Sequence, residues 1–210
     1  MTPEAPRDCP LCPRLVAYRE ANARVEPSWF NGAAPSFGDP NARLLVVGLA
    51  PGRTGANRTG RPFTGDFAGE LLYSTLKKFG FAEGEYRADP HDGFTLKGAM
   101  ITNAVRCAPP ENKPLPDEIA RCRPFLSARI AALPHLKVLI ALGAIAHESV
   151  LRVHELALTQ ARFAHGAETI LTPARTMVSS YHCSRYNTQT RRLTPEMFEA
   201  VFARARALIG

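Results

Sequence analysis

A short apolar run that breaks into glycine constrains this chain more than anything else in it. Arg43-Leu44-Leu45-Val46-Val47-Gly48-Leu49 has the length and branched-aliphatic content of a buried strand. It leads straight into GLAPGRTGANRTGRPFTGD, residues 48–66, after which Leu71, Leu72, Leu76 and Phe79 recur at helical spacing. Strand, glycine-rich loop and helix in that order form a unit of an open α/β sheet, where ligands bind at the carboxyl ends of strands. The loop holds five glycines, three arginines and Asp66, which stands where a helix N-cap belongs. Glycines let backbone approach a ligand closely, and free N–H groups at a helix start favour anions. The plain alternative is a connection, since glycine-rich loops after strands are common. Neither the Gly-Lys-Ser/Thr of a P-loop nor the Gly-x-Gly-x-x-Gly of a dinucleotide site is present.

The rest of the chain repeats the alternation. Residues 14–42 read as a helix followed by an irregular segment, with Ser36-Phe37-Gly38-Asp39-Pro40 as a turn. Residues 81–97 are polar and read as a surface excursion. A second strand is expected over Ala99 to Val105, then a stiff loop with four prolines between Arg106 and Pro116. An amphipathic helix follows from Asp117 to Leu133, a third strand from Leu136 to Leu142 and a helix from Ala144 to Val153. Residues 156–172 are mixed, with a turn at His165-Gly166. A short fourth strand, Thr176 to Ser180, runs into the polar stretch SYHCSRYNTQTRR, residues 180–192. The last helix begins at Pro195 behind Thr194 as N-cap and extends to about Leu208. The expectation is a single α/β domain over residues 1–210, with a mostly parallel sheet covered by helices on both faces.

Two further features bear on function. The net charge of +7 suggests an anionic partner, nucleic acid first, against the bland reading of scattered surface charge. No run of eighteen apolar residues exists and Met1-Thr2-Pro3-Glu4-Ala5-Pro6 is no signal segment, so the reading is a cytoplasmic protein with no membrane partner. The cysteines of such a protein are reduced, metal-bound or inert. Cys9-Pro10-Leu11-Cys12 can turn two thiolates to one metal, with Cys107 and Cys122, fourteen residues between them, in separate elements. Four thiolates suit zinc or an iron–sulfur cluster. The loose second pair leans toward a cluster, but spacing alone does not decide. Cys183 reads as a lone small residue.

Together, GLAPG, NRTGRPFTGD, TNAVRCAPPENKP, ALG and SYHCSRYNTQTRRLT resemble, in order, the motifs of uracil-DNA glycosylases. Within that superfamily the chain is most similar to family 5, the type B group with an iron–sulfur cluster, from Cys9 to the last helix. The resemblance implies a central four-stranded, mostly parallel sheet flanked by helices and a 4Fe–4S cluster on Cys9, Cys12, Cys107 and Cys122. It implies a monofunctional, monomeric repair enzyme that flips uracil or a deaminated base out of DNA and hydrolyses its N-glycosidic bond. The water-activating acids of other families fall on Ala50 and Leu49, which carry no acid. In family 5 the proposed catalytic groups map to Asp66, Asn112 and His182. Phe63 matches the aromatic that stacks on the base and Asn103 the residue that reads it, with Gly48, Leu49, Ala50 and Gly52 completing the base pocket. DNA contacts are expected from Arg53, Asn57 and Arg58 in the first loop, and from Ser184, Arg185, Asn187 and Arg191 in the last. Gly52 stands where strict uracil enzymes hold a tyrosine beside carbon 5, which implies room for hypoxanthine, ethenocytosine or 5-substituted uracils. The rival readings are a family 4-like strict uracil enzyme, a non-catalytic module that recognises damaged DNA and a zinc protein that binds RNA.

Overall fold

The apolar run ahead of the glycine-rich loop forms the middle of a parallel sheet. The computed structural model describes residues 2–210; Met1, the start of the segment read above as no signal, lies outside them. The chain opens with α1 (Pro13–Val25), started by Pro13 in its first turn. There follow β1 (Phe37–Gly38), β2 (Leu44–Gly48), α2 (Ala56–Thr59), α3 (Phe67–Lys78), β3 (Ala82–Glu83), β4 (Thr95–Leu96) and β5 (Ala99–Asn103). The second half holds α4 (Pro116–Ala131), β6 (Val138–Leu142), α5 (Ala144–Val153), β7 (Glu168–Thr172), β8 (Arg175–Ser180), α6 (Arg185–Gln189) and α7 (Pro195–Ile209). The Thr194 hydroxyl accepts from the Met197 N–H, capping α7 as expected.

Strands β5, β2, β6 and β8 lie side by side and parallel, and every residue of β2, β5 and β6 is buried. The pleat sends Leu44 and Val46 to one face, against α3 and α7, where Leu72, Leu76, Phe198 and Phe202 pack. Leu45 and Val47 meet the other face, where Leu126 and Ile130 of α4 join Val150 and Leu151 of α5. The register pairs Gly48 with Asn103 and Leu142 with Ser180, so the carboxyl ends of all four strands finish level.

The sheet has six strands rather than four, because an antiparallel strand is added at each edge. β1 is only two residues long, inside the segment expected to be a turn. A Cβ on Gly38 would stand 2.4 Å from the Ala99 carbonyl oxygen, so glycine is what lets this edge close. β7 buries only Leu171 and leaves Ile170 76% exposed, and so lacks the apolar run of a core strand. Residues 81–97 also depart from expectation. Phe81, Phe94 and Leu96 are buried in the main core, and Tyr86 packs against it. Charged neighbours mask these anchors in the sequence. Among the described residues no helix is long and apolar enough to cross a membrane.

Candidate active site

The carboxyl ends of β2 and β5 floor a cleft of about 480 Å³, within the usual range for a ligand site. Gly48 ends β2. A Cβ there would stand 2.4 Å from Asn103 Oδ1 and 2.6 Å from the Phe63 ring, so both side chains lie directly over the strand end. Leu49, Ala50 and Gly52 line one wall of the cleft, with Asp66, Asn112 and His182 around it.

Asp66 occupies the N-cap position of α3 but its side chain makes no capping hydrogen bond. The cap expected from the sequence is thus a matter of position only. The carboxylate instead lies against the first loop: a Cβ on Gly55 would stand 2.2 Å from Oδ2, and one on Gly52 would stand 3.1 Å away. Oδ1 is buried with no hydrogen-bond partner. Burial raises its pKa above the usual aspartate value of 3.8, partly offset by Arg58. Native proteins rarely leave a buried carboxylate oxygen unmet, and such exceptions concentrate at working sites. Gly52 is not among the glycines with positive φ, so clearance rather than backbone conformation requires it. A side chain there would press on Asp66 first, which corrects the picture of Gly52 as a simple opening beside the base.

Phe63 is buried and sits at φ 57, the left-handed region that an aromatic residue adopts only when its surroundings impose it. Its ring stacks on His182 with centroids 5.8 Å apart and planes 24° from parallel. Two stacking intervals of about 3.4 Å would exceed that gap, so no base fits between the rings. Burial pushes His182 down to about 4, which leaves a neutral imidazole at pH 7. Its loop is held by Asn187, whose Nδ2 donates to the His182 carbonyl oxygen at 2.8 Å. Asn103 Oδ1, like Asp66 Oδ1, is buried without a partner. Asn112 ends a 3₁₀ turn, also at φ 57, and exposes its side chain along the cleft.

Three of the expected DNA contacts reach the cleft. Arg53 donates from Nε to Asn22 Oδ1 at 2.8 Å and lies over the Trp29 ring at 5.2 Å. Ser184 caps α6, and the Arg185 guanidinium lies 5.2 Å over the ring of Phe67. Arg58, Asn187 and Arg191 lie outside the lining; Arg58 Nε donates to the Thr54 carbonyl oxygen, and Arg191 is exposed. Asn57 is 1% exposed and donates to Asn31 Oδ1 at 3.0 Å, so it braces the loop internally instead of meeting DNA. Gly55 and Phe67 were missed by sequence reasoning. Gly55 was one glycine among five, and only the Asp66 contact singles it out. Phe67 follows the TGD segment and is 42% exposed at the cleft.

The four cysteines meet elsewhere. Cys9, Cys12, Cys107 and Cys122 line one small cavity with Leu11, Leu15, Val105 and Phe125. The Arg106 N–H donates to Cys122 Sγ at 3.3 Å, and Arg19 Nη1 reaches Cys107 Sγ at 3.8 Å. Burial pushes the thiols of Cys107 and Cys122 up to about 11 and about 12. Among the described residues no three His, Cys, Asp or Glu groups are placed to hold a single metal ion. Cys183 is fully buried apart from them, near the Ala68 carbonyl oxygen.

With this geometry in place, comparison with known proteins is informative. The family model described as the uracil DNA glycosylase superfamily matches residues 35–206. A type-5 uracil-DNA glycosylase of Thermus thermophilus is 47% identical over 208 residues, covering 96% of this chain and 94% of that protein. Type-5 uracil-DNA glycosylases of Mycobacterium bovis and Pyrobaculum aerophilum are 40% and 39% identical, over 96% and 97% of this chain and 78% and 90% of their own lengths.

Proposed function

The chain belongs to the uracil DNA glycosylase superfamily, and on that premise we propose that it removes uracil from DNA by hydrolysing the N-glycosidic bond. The observation that carries the reading is the Asp66 carboxylate, buried against Gly52 and Gly55 with Oδ1 unmet at the edge of the cleft. A base inside a duplex cannot reach this cleft, so the nucleotide is flipped out at a cost of a few kcal/mol. The extruded ring stacks on Phe63, which contributes about 1–3 kcal/mol. Asn103 Oδ1 lacks a donor, and uracil offers one at N3–H, where cytosine presents an acceptor.

Bond breaking leaves the electron pair on N1 of uracil and positive charge on the sugar. The neutral His182 donates a hydrogen bond to a uracil oxygen as negative charge builds there. Asp66 stabilises the cationic sugar and orients the water; as the water oxygen bonds to the anomeric carbon its proton passes to the Asp66 carboxylate, and a proton returned from there through solvent neutralises the uracil anion. Asn112 lines the cleft as a further polar contact. The products are free uracil and an abasic site. Arg53, Ser184 and Arg185 hold phosphate at the rim.

Cys9, Cys12, Cys107 and Cys122 fit a 4Fe–4S cluster. They surround one cavity and carry N–H donors from Arg106 and Arg19 at two of the sulfurs. Such a cluster supplies no electron to a hydrolysis; it ties the N-terminal segment to the end of β5 and to α4. We read residues 1–210 as one domain and the protein as a cytoplasmic monomer acting on DNA.

The small side chain of Ala50 and the volume of the cleft favour acceptance of bases beyond uracil, including 5-hydroxymethyluracil and hypoxanthine. Treating duplexes that carry each base with the protein and then alkali tests both levels of the reading. Strand breaks at uracil opposite guanine are expected, with slower cleavage at the other two. Inert uracil DNA would refute the enzyme, and refusal of every base except uracil would refute the wide cleft.

A further inference from the structure

The polar excursion 81–97 reaches under the cleft without lining it. Tyr86 is half-buried, and its hydroxyl sits between the peptide groups that flank Thr64. It donates to the Phe63 carbonyl oxygen at 3.2 Å and accepts from the Gly65 N–H at 3.4 Å. The contact is possible only because residue 69 is glycine, where a Cβ would stand 2.6 Å from the Tyr86 hydroxyl and 1.9 Å from the Phe63 carbonyl oxygen. The Tyr86 ring stacks on Tyr73 with centroids 4.4 Å apart and meets Phe94 edge-on. Tyr73 in turn donates to the Pro62 carbonyl oxygen at 2.5 Å. A second anchor lies six residues beyond Tyr86. The fully buried Asp92 side chain takes both arms of Arg61 at 2.8 Å, and the Arg61 guanidinium lies over the Phe37, Tyr73 and Tyr86 rings.

These contacts fall on Arg61, Pro62, Phe63 and Gly65, the stretch that runs directly into Asp66. The Phe63 ring packs on His182 and the Asp66 carboxylate lies against Gly52 and Gly55, but neither contact accounts for the positive φ at Phe63 or gives Asp66 Oδ1 a hydrogen bond. The loop's own bonds at Thr64, from the Thr64 N–H to the Arg61 carbonyl oxygen and from Arg61 Nε to the Thr64 hydroxyl, leave the Phe63 carbonyl oxygen and the Gly65 N–H to Tyr86. We propose that Tyr86 is a positioning residue for the glycosylase reaction: its hydroxyl clamps the backbone from Phe63 to Gly65 and so sets the stacking ring and the catalytic carboxylate relative to each other. The inference rests on reading the cleft as the glycosylase site, and it gives the excursion a function there. Tyr86 itself never touches the substrate. The energetic logic is that of pre-organisation, since displacement of a reacting group by about 1 Å can cost ~10²-fold in rate.

Tyr86→Phe tests it, because the ring stack and the fold persist and only the hydroxyl is removed. With uracil DNA in single turnover, the rate at saturating DNA should fall at least ~10-fold with KM within about threefold and the unfolding midpoint within ~2 °C of the parent. In an Asp66→Asn background the same change should cost far less, since both act through one carboxylate. A rate within about twofold of the parent overturns the clamp. So does a fall in kcat that merely tracks a lower midpoint and a raised KM, which marks a general scaffold. An inert parent protein would sink the functional reading separately. The crystal structure of Tyr86→Phe would then decide the clamp: Phe63 leaving positive φ supports it, and Phe63 and Asp66 unmoved overturns it.

Discussion

Two cavities of this protein collect reactive side chains, and they are built in opposite ways. The cleft over β2 and β5 is open and roomy, and leaves Asp66 Oδ1 and Asn103 Oδ1 buried without partners. The cysteine cavity is small, with walls of leucine, valine and phenylalanine. Arg106 and Arg19 direct N–H groups at two of its sulfurs. Unmet polar atoms cost stability, and at the cleft a ligand that comes and goes would complete the two oxygens in transit. A small cavity lined by four thiols among mostly apolar side chains suits an occupant that stays and is part of the fold. The sharpest contrast between the two is therefore what happens to stability when each loses its key group.

Removing a ligand from the sealed cavity should have the larger effect. On the proposed cluster, Cys107→Ala is expected to lose iron and brown colour and to lower the unfolding midpoint by ~10 °C or more, because binding of such a group and folding would be coupled. Cys183→Ala, in a buried cysteine outside the cavity, should leave the iron content intact. Loss of iron from the Cys183 variant with retention in Cys107→Ala would invert the ligand assignment.

In the open cleft the expectation reverses sign. Asp66→Asn should slow uracil excision by at least ~10²-fold while the protein becomes more stable. Burial raises the folded pKa of Asp66 above its unfolded value. Its stabilising contribution is present below the unfolded pKa and is lost as pH rises through the folded one, so at pH 7 the ionised side chain opposes folding. Asparagine removes that opposition. The same shift places the acid limb of the wild-type rate above 3.8. Calorimetry beside single-turnover cleavage reads both; a less stable Asp66→Asn protein at pH 7 would contradict the strain assigned to this carboxylate.

The contrast also explains what the sequence revealed. The four parallel strands and the helices between them were legible because their apolar periods are long, and the helix expected over Ala144–Val153 is α5 without adjustment. The edge strands were hidden: β1 is two residues long and β7 exposes Ile170. Motif resemblance pointed to Phe63, Asp66 and His182 as residues, but not to their conformations. Nothing local marks Phe63 for positive φ, because Gly69 and Tyr86 impose it from other elements. Asp66 also read as a helix cap, and only the absence of a capping bond and the contact with Gly55 show the carboxylate turned to the first loop. Asn57 failed in the opposite direction. It lies in the right loop, but Asn31 claims its side chain.

The smallest expected effect belongs to the rim of the cleft, where groups touch neither the unmet oxygens nor the sulfurs. Arg185 is exposed, opens the short helix α6 and lies over Phe67 beside Ser184. A cation so placed meets a phosphate, which positions the duplex but carries no sequence information. Replacing Arg185 with alanine should weaken binding of uracil DNA and of matched undamaged DNA by similar factors, with the saturated cleavage rate changing less than the affinity. Contact with one phosphate adds about 0.9 to the slope of log affinity against log salt, so the variant should show a slope shallower by ~1. The loss is therefore largest at low salt and fades as salt rises, which separates it from damage to the cleft, where a lost rate persists at every ionic strength. Titrations at several salt concentrations with both duplexes decide it. A discrimination factor that collapses with the slope unchanged would move Arg185 from the rim into base recognition.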